Sequence, residues 1–237
     1  MDLANWTQIH THILQLEQEG LVTRTFRRLD PERQHAILNA ILDEAVAKGP
    51  TSLNIKEVSA RARVSIGSLY QYFGNREGLL TFAVALCGRF VRDTFDSYRP
   101  LLAALPLRDA LAAYLLGGVE WGQTQTALLQ FFARAAYHGD AALQASFVQP
   151  IAATIRGMVE EILQTAVARG EMRADLDVAT TARLVNALMI AVGDSLLLPY
   201  LNTYFQVHSE TVTPEALLQA LLDLLLHGIG NFPESTT

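Results

Sequence analysis

A single cysteine, Cys87, in 237 residues leaves the chain without an internal disulfide. Flanked by Ala83, Val84, Leu86 and Phe90, it reads as a small hydrophobe on a buried helix face. Proline and glycine are sparse, at 8 and 15 residues, while hydrophobic residues make up 50% with Ala and Leu foremost, a balance that favours packed helices over sheets or disorder. Long apolar runs are missing too. Leu184 to Ile190 and Leu221 to Leu226 are interrupted by Asn186, Asp194, Asp223 and His227 well short of the roughly 18 residues that a bilayer span requires. Residues 1–20 lack a basic start, an apolar centre and a small-residue cleavage site, so the expectation is a cytoplasmic protein with no membrane partner. The six histidines, His10, His12, His35, His138, His208 and His227, are scattered without a carboxylate pattern of metal-site type. No nucleophile, base and stabiliser converge in the sequence. The expectation is no catalytic residue, no metal, no cofactor and no enzymatic activity.

What is present is an uneven distribution of charge. The net charge is -6, yet residues 21–92 carry 11 Lys and Arg against 6 Asp and Glu, whereas residues 93–237 carry 7 against 15. A local surplus of positive charge suits a phosphate-facing surface, and an acidic remainder keeps the rest of a molecule off a duplex. Chance unevenness on solvated faces is the alternative.

Helical periodicity organises most of the chain. Leu3, Trp6, Ile9, Ile13 and Leu16 recur at spacings of three and four, and Gly20 ends that helix. Arg24, Arg27 and Arg28 follow, either as a basic arm touching DNA or as a solvated linker. Asp30-Pro31 caps a helix to about Lys48 with an apolar stripe of Ile37, Leu38, Ile41, Leu42, Ala45 and Val46, stopped by Gly49-Pro50. Asn54 with Glu57 fits a capping box for a two-turn helix to Arg61 or Ala62; Ser65 caps a helix over Ile66 to Phe73; Asn75 caps a long helix limited by Pro100. Further helices are expected at 107–122, 125–137, 141–169 with a kink or break near Pro150, 177–198 and 214–228. The polar tail 231–237 reads as disordered.

The informative segment runs from Asn54 to Leu80. Val58, Ala62, Val64, Leu69 and Phe73 suit the inside of two short helices joined by a tight turn. Ser65, Ile66, Gly67, Ser68, Tyr70, Gln71 and Tyr72 are left outside, at the end and face of a helix that would enter a major groove. Gly67 lets a backbone approach DNA, Ser68 and Gln71 suit base edges or phosphates, and the Tyr70 and Tyr72 hydroxyls suit phosphates. Arg76 opposes its helix dipole, which a phosphate would compensate. With Lys56 these residues form the candidate DNA contacts; the bland reading is a run of bundle helices with exposed tyrosines and a serine cap.

The turn and helix Val-Ser-Ile-Gly-Ser-Leu-Tyr-Gln-Tyr-Phe, followed by Asn-Arg-Glu-Gly-Leu-Leu, resemble the recognition helix and next helix of the TetR family of bacterial transcription regulators. The resemblance covers about residues 31–80. It implies an all-α homodimer that binds a palindromic double-stranded DNA operator and is released by a small-molecule effector. Two positions depart from the pattern. Arg63 stands where the family usually has glycine, so either the turn is reshaped or Arg63 gains a contact such as a phosphate; Ile66 replaces a common polar residue, to meet a thymine methyl or simply to pack.

The expected architecture is therefore all-α: an extra N-terminal helix and basic linker at 1–29, a three-helix DNA-binding domain with a helix-turn-helix at 30–78, and a helical ligand-binding and dimerisation domain at 79–230. The last two long helices are apolar nearly all round, with Leu184, Val185, Leu188, Met189, Val192, Leu196 and Leu197 on one and Leu217, Leu218, Leu221, Leu222, Leu224 and Leu225 on the other, which suits burial on one side and a partner on the other. Tyr114, Trp121, Phe131, Phe132, Tyr137, Met158 and Met189 are the candidate lining of an effector site, with core packing the alternative for each, and Gly117-Gly118 reads as a packing notch or as free space. The competing reading is a helical ligand-binding or interaction module that no longer binds DNA.

Overall fold

The computed structural model describes residues 6–49, 52–139 and 141–230; Leu3, Pro50 and the 231–237 tail lie outside the described residues. The fold is all-α. Strand pairing among the described residues is confined to two isolated bridges, Met172 with Gly230 and Ser209 with Val212. By packing, the chain divides into two compact units, residues 1–93 with 124–152 and residues 94–123 with 153–237.

In the first unit, α1 (Trp6–Gln18) buries Trp6, Ile9, Ile13 and Leu16 on one face, as its periodicity predicts, and adds His12, whose Nε2 lies 3.3 Å from Asp93. A four-residue turn of helix, α2 (Arg24–Arg27), occupies part of the expected linker. Helix α3 (Pro31–Lys48) starts as expected, with the Asp30 side chain accepting the Arg33 N–H at 2.8 Å. Then come α4 (Ile55–Ala62), α5 (Ile66–Phe73) and the first part of α6 (Arg76–Ala104). The unit is completed by α8 (Thr126–Tyr137), α9 (Ala141–Leu143), a π-helical turn over Gln144–Val148, and the first residues of α10 (Gln149–Ala168). Packing does not follow a cut at residue 79. Arg134 of α8 donates to the Val46 carbonyl at the end of α3 (2.9 Å), and Phe147 fills the space left by Gly88 on α6.

The second unit contains α7 (Leu107–Thr124), α11 (Val178–Leu197), α12 (Pro199–Phe205) and α13 (Pro214–Ile229) with the ends of α6 and α10. Its core is built from Leu107, Leu111, Tyr114, Met158, Ile162, Val185, Met189, Leu221 and Leu225 among others.

Two expectations are corrected and a third is located. Pro100 does not end α6, which runs on to Ala104. A proline deprives only the preceding turn of one N–H donor, and Arg169 secures the end by donating to the carbonyls of Ala103 and Ala104. The irregularity expected near Pro150 is a π-helical turn over Gln144–Val148 that runs directly into α10, with Pro150 as the second residue of α10. Residues 199–205, which the periodicity left unassigned, form α12 with Pro199 at its first position.

Cys87 is fully buried, and burial pushes its thiol up to about 12. At pH 8 the folded protein holds it protonated and out of reach. A thiol reagent such as DTNB is expected to report no free thiol in buffer and one per chain in denaturant.

Candidate nucleic-acid interface

Helices α4 and α5 are each eight residues, too short to persist alone, so their geometry rests on caps and neighbours. Asn54 opens α4 by accepting the Lys56 N–H at 3.0 Å. The other half of the expected capping box comes from a different residue. Glu44 on α3, not Glu57, accepts the Asn54 N–H (3.4 Å), and the same fully buried carboxylate lies 3.2 Å from Arg61 Nη1. One acid on the first helix of the domain thus fixes both ends of α4.

The turn between α4 and α5 is held by Ser59, whose hydroxyl donates to the Val64 carbonyl at 2.6 Å, and by the Val64 N–H on the Ser59 carbonyl at 3.1 Å. Arg63 occupies the left-handed region at φ 52 and ψ 46, and its carbonyl accepts from Arg33 Nη2 (3.3 Å). The turn keeps the geometry that favours glycine, and the side chain of Arg63 is exposed. Replacing Arg63 with glycine is expected to stabilise the fold by about 1 kcal/mol, read as a higher midpoint in urea; an unchanged or lower midpoint contradicts the strain.

Ser65 caps α5, its Oγ accepting the Ser68 N–H at 2.9 Å and lying 2.8 Å from the Ser68 hydroxyl. Leu69 and Phe73 point inward as expected. Tyr72 does too, which corrects the expectation that it stands outside: it is 8% exposed, its ring edge-on to Phe26 at 5.7 Å. Phe26 supplies the reason. Its ring also meets Phe73 at 5.1 Å and Phe82 at 5.2 Å, so α2 and α6 form an apolar floor that takes in both aromatic residues at the end of α5.

What stays exposed on α5 is Gly67, Tyr70 (45%) and Gln71, spaced i, i+3 and i+4 and therefore on one face, with Ile66 and Ser68 half-buried beside them. Lys56 on α4 and Arg76 at the start of α6 are exposed as well, and the Asn75 side chain caps α6 by accepting the Gly78 N–H at 2.8 Å.

Residues 37–81 match the family model described as bacterial regulatory proteins, tetR family. The match runs from Ile37 of α3 into the start of α6, so this part of the chain is similar to the domain of that family. The likeness extends beyond the matched residues. A structure from Rhodococcus sp. assigned to TetR-family transcriptional regulators is 27% identical, with 82% of this chain and 97% of that one covered at a TM-score of 0.55. A TetR family transcriptional regulator from Chloroflexus aurantiacus J-10-FL is 19% identical over 89% and 99% of the two chains, TM-score 0.58. The ketosteroid transcriptional regulator KstR2 of Mycobacterium tuberculosis is 16% identical over 86% and 98%, TM-score 0.60. No curated protein matches the chain. A DNA-binding transcription regulator is the class of function that such a domain supports.

The candidate effector residues are divided by the fold. Tyr114, Met158 and Met189 share the core of the second unit, where the Tyr114 hydroxyl donates to Asn186 Oδ1 at 3.2 Å. Burial pushes the Tyr114 phenol up, with Asp194 acting in the same direction, so it remains a donor. Trp121, in the same unit, lies edge-on to Phe95 at 5.9 Å. Phe131 and Phe132 belong to the first unit and pack on Phe147 at 5.1 and 5.7 Å, while Tyr137 there is 45% exposed. A Cβ at Gly117 or Gly118 would meet nothing within 4 Å, so neither is a packing notch. Among the described residues no group of three or more His, Cys, Asp or Glu is placed to hold a metal, and no helix is long and apolar enough to cross a membrane.

Proposed function

We propose that this chain is a homodimeric repressor that holds a palindromic operator and releases it when a small, largely apolar effector binds its second unit. The observation that carries the reading is the Gly67, Tyr70 and Gln71 face, presented bare on a helix whose opposite side is locked into an aromatic floor. A bare, rigid, helical face of this size suits a major groove.

Support for the dimer comes from the leucines that the second unit leaves outside. Helix α11 buries Val185 and Met189 yet exposes Leu184 (64%) and Leu188 (43%); α13 buries Leu221, Leu222, Leu225 and Leu226 yet exposes Leu224 (66%). A second copy covering these faces would pair two chains, as reading two half-sites about 34 Å apart requires. Support for the effector comes from Tyr114, Trp121, Met158 and Met189, apolar residues with one orienting hydroxyl. Effector binding then shifts the population toward dimers whose recognition helices miss successive grooves.

Selection of bound duplexes from a random pool tests the reading. The expected product is an inverted repeat with half-site centres about 10 bp apart or a multiple of it. A pool that fails to converge contradicts operator binding and favours an interaction module without DNA.

A further inference from the structure

We propose a second DNA-binding element on this chain: Arg24 of α2 and Arg28, which caps its end, form a phosphate clamp whose backbone is attached to the C-terminal end of the recognition helix and kept in place by the extra helix α1. The inference rests on the DNA-binding reading and adds a backbone contact site to it.

The first observation is how firmly α2 is held. Four residues of helix have no stability of their own, yet this turn is tied to three elements. The Thr23 N–H and hydroxyl donate to the carbonyls of Tyr72 (3.0 Å) and Gln71 (3.1 Å), at the end of α5. The buried Gln34 side chain of α3 donates to the carbonyls of Phe26 and Arg27, both at 3.0 Å, and is itself held by the Trp6 indole of α1 at 3.2 Å. Phe26 fills the centre of the aromatic floor. A solvated linker needs none of this.

The second observation is which cations α1 neutralises. Glu17 of α1 pairs with Arg27, and Glu19, just after the helix, with Arg89. Arg24 and Arg28 are exposed and have no carboxylate partner among the described residues. They stand four residues apart, on one face of the turn. Glu17 thus fastens Arg27 of α2 and leaves the two outer arginines for a ligand.

The third step is geometric. At about 1.5 Å per residue, the eight residues of α5 span about 12 Å, the width of a major groove. With the N-terminal end of α5 on the base edges, its C-terminal end stands at the sugar-phosphate wall. Residues bonded to the carbonyls of Gln71 and Tyr72 stand there too. Guanidiniums carried there on a fixed backbone turn neutralise phosphates without reading sequence.

Counterion release measures the contact. Binding of a mixed-sequence 30-bp duplex is followed by fluorescence anisotropy between about 50 and 200 mM salt for the full chain and for Arg24→Ala/Arg28→Ala. The slope of log K against log salt is expected to shrink by about 0.9 per lost phosphate contact, so about 1.8 per protomer. The Arg24→Lys/Arg28→Lys pair restores most of it, because a phosphate contact without readout needs charge above all. Arg183→Ala, a cation on the other unit, leaves it unchanged, and equal melting temperatures exclude a folding effect. Wild-type binding with the same slope in the alanine variant overturns the clamp alone. No salt-dependent binding by the wild type overturns the DNA-binding reading, and the clamp with it.

Discussion

Replacing Phe26 with alanine is expected to remove about 3–5 kcal/mol of stability from the first unit and to abolish DNA binding at 37 °C. Phe26 is fully buried and is the ring on which Tyr72, Phe73 and Phe82 converge. Its loss opens a cavity between α2, α5 and α6 that these aromatic neighbours cannot close without shifting the recognition helix. A cost of this size is a large share of the stability of a domain. Urea denaturation followed by circular dichroism measures it, and Phe26→Leu, which keeps most of the volume, is expected to lose much less. An alanine variant with the wild-type midpoint would show that the floor does not hold α5.

The pair Leu184→Glu/Leu224→Glu is expected to convert a dimer into monomers that remain folded. Both side chains are about two-thirds exposed in the single chain, so the substitutions change monomer stability by no more than about 0.5 kcal/mol. In a two-fold dimer each position occurs twice. Four leucines at about 1.5–3 kcal/mol each give on the order of 6 kcal/mol or more from apolar burial alone, before the cost of placing carboxylates in the interface. Light scattering is expected to report about twice the 26.0 kDa chain mass for the wild type and one chain mass for the variant, with operator affinity falling in step because one recognition helix replaces two. A variant that stays dimeric places the interface elsewhere.

The sequence carried the fold where signals were periodic and local. Asp30, Asn54, Ser65 and Asn75 were legible as caps because a short polar side chain before an apolar stripe has few other uses there, and all four accept the expected backbone N–H bonds. What it hid depends on distant partners. Nothing local distinguishes Glu44 from any other acid on a helix; only folding brings it to the Asn54 N–H and to Arg61. Tyr72 was misplaced for the same reason, since its neighbour Phe26 lies 46 residues earlier on a turn too short to show a period. Thr23, three residues after the helix-ending Gly20, was the available sign that a new helix begins at Arg24. The effector candidates divided between two units because aromatic composition marks apolar surroundings without saying which helices share them.

The central claim, that the bare face of α5 meets DNA at backbone distance, is tested most directly at Gly67. A Cβ there meets only the Ser65 hydroxyl oxygen at 3.6 Å, an ordinary contact, and the position is exposed. Gly67→Leu therefore leaves the fold intact and raises helix propensity, while adding bulk to the surface that approaches the groove. Anisotropy on the selected operator is expected to show a loss of affinity on the order of 100-fold, about 2.8 kcal/mol, at an unchanged melting temperature. Undiminished binding by this variant would mean that DNA does not meet this face.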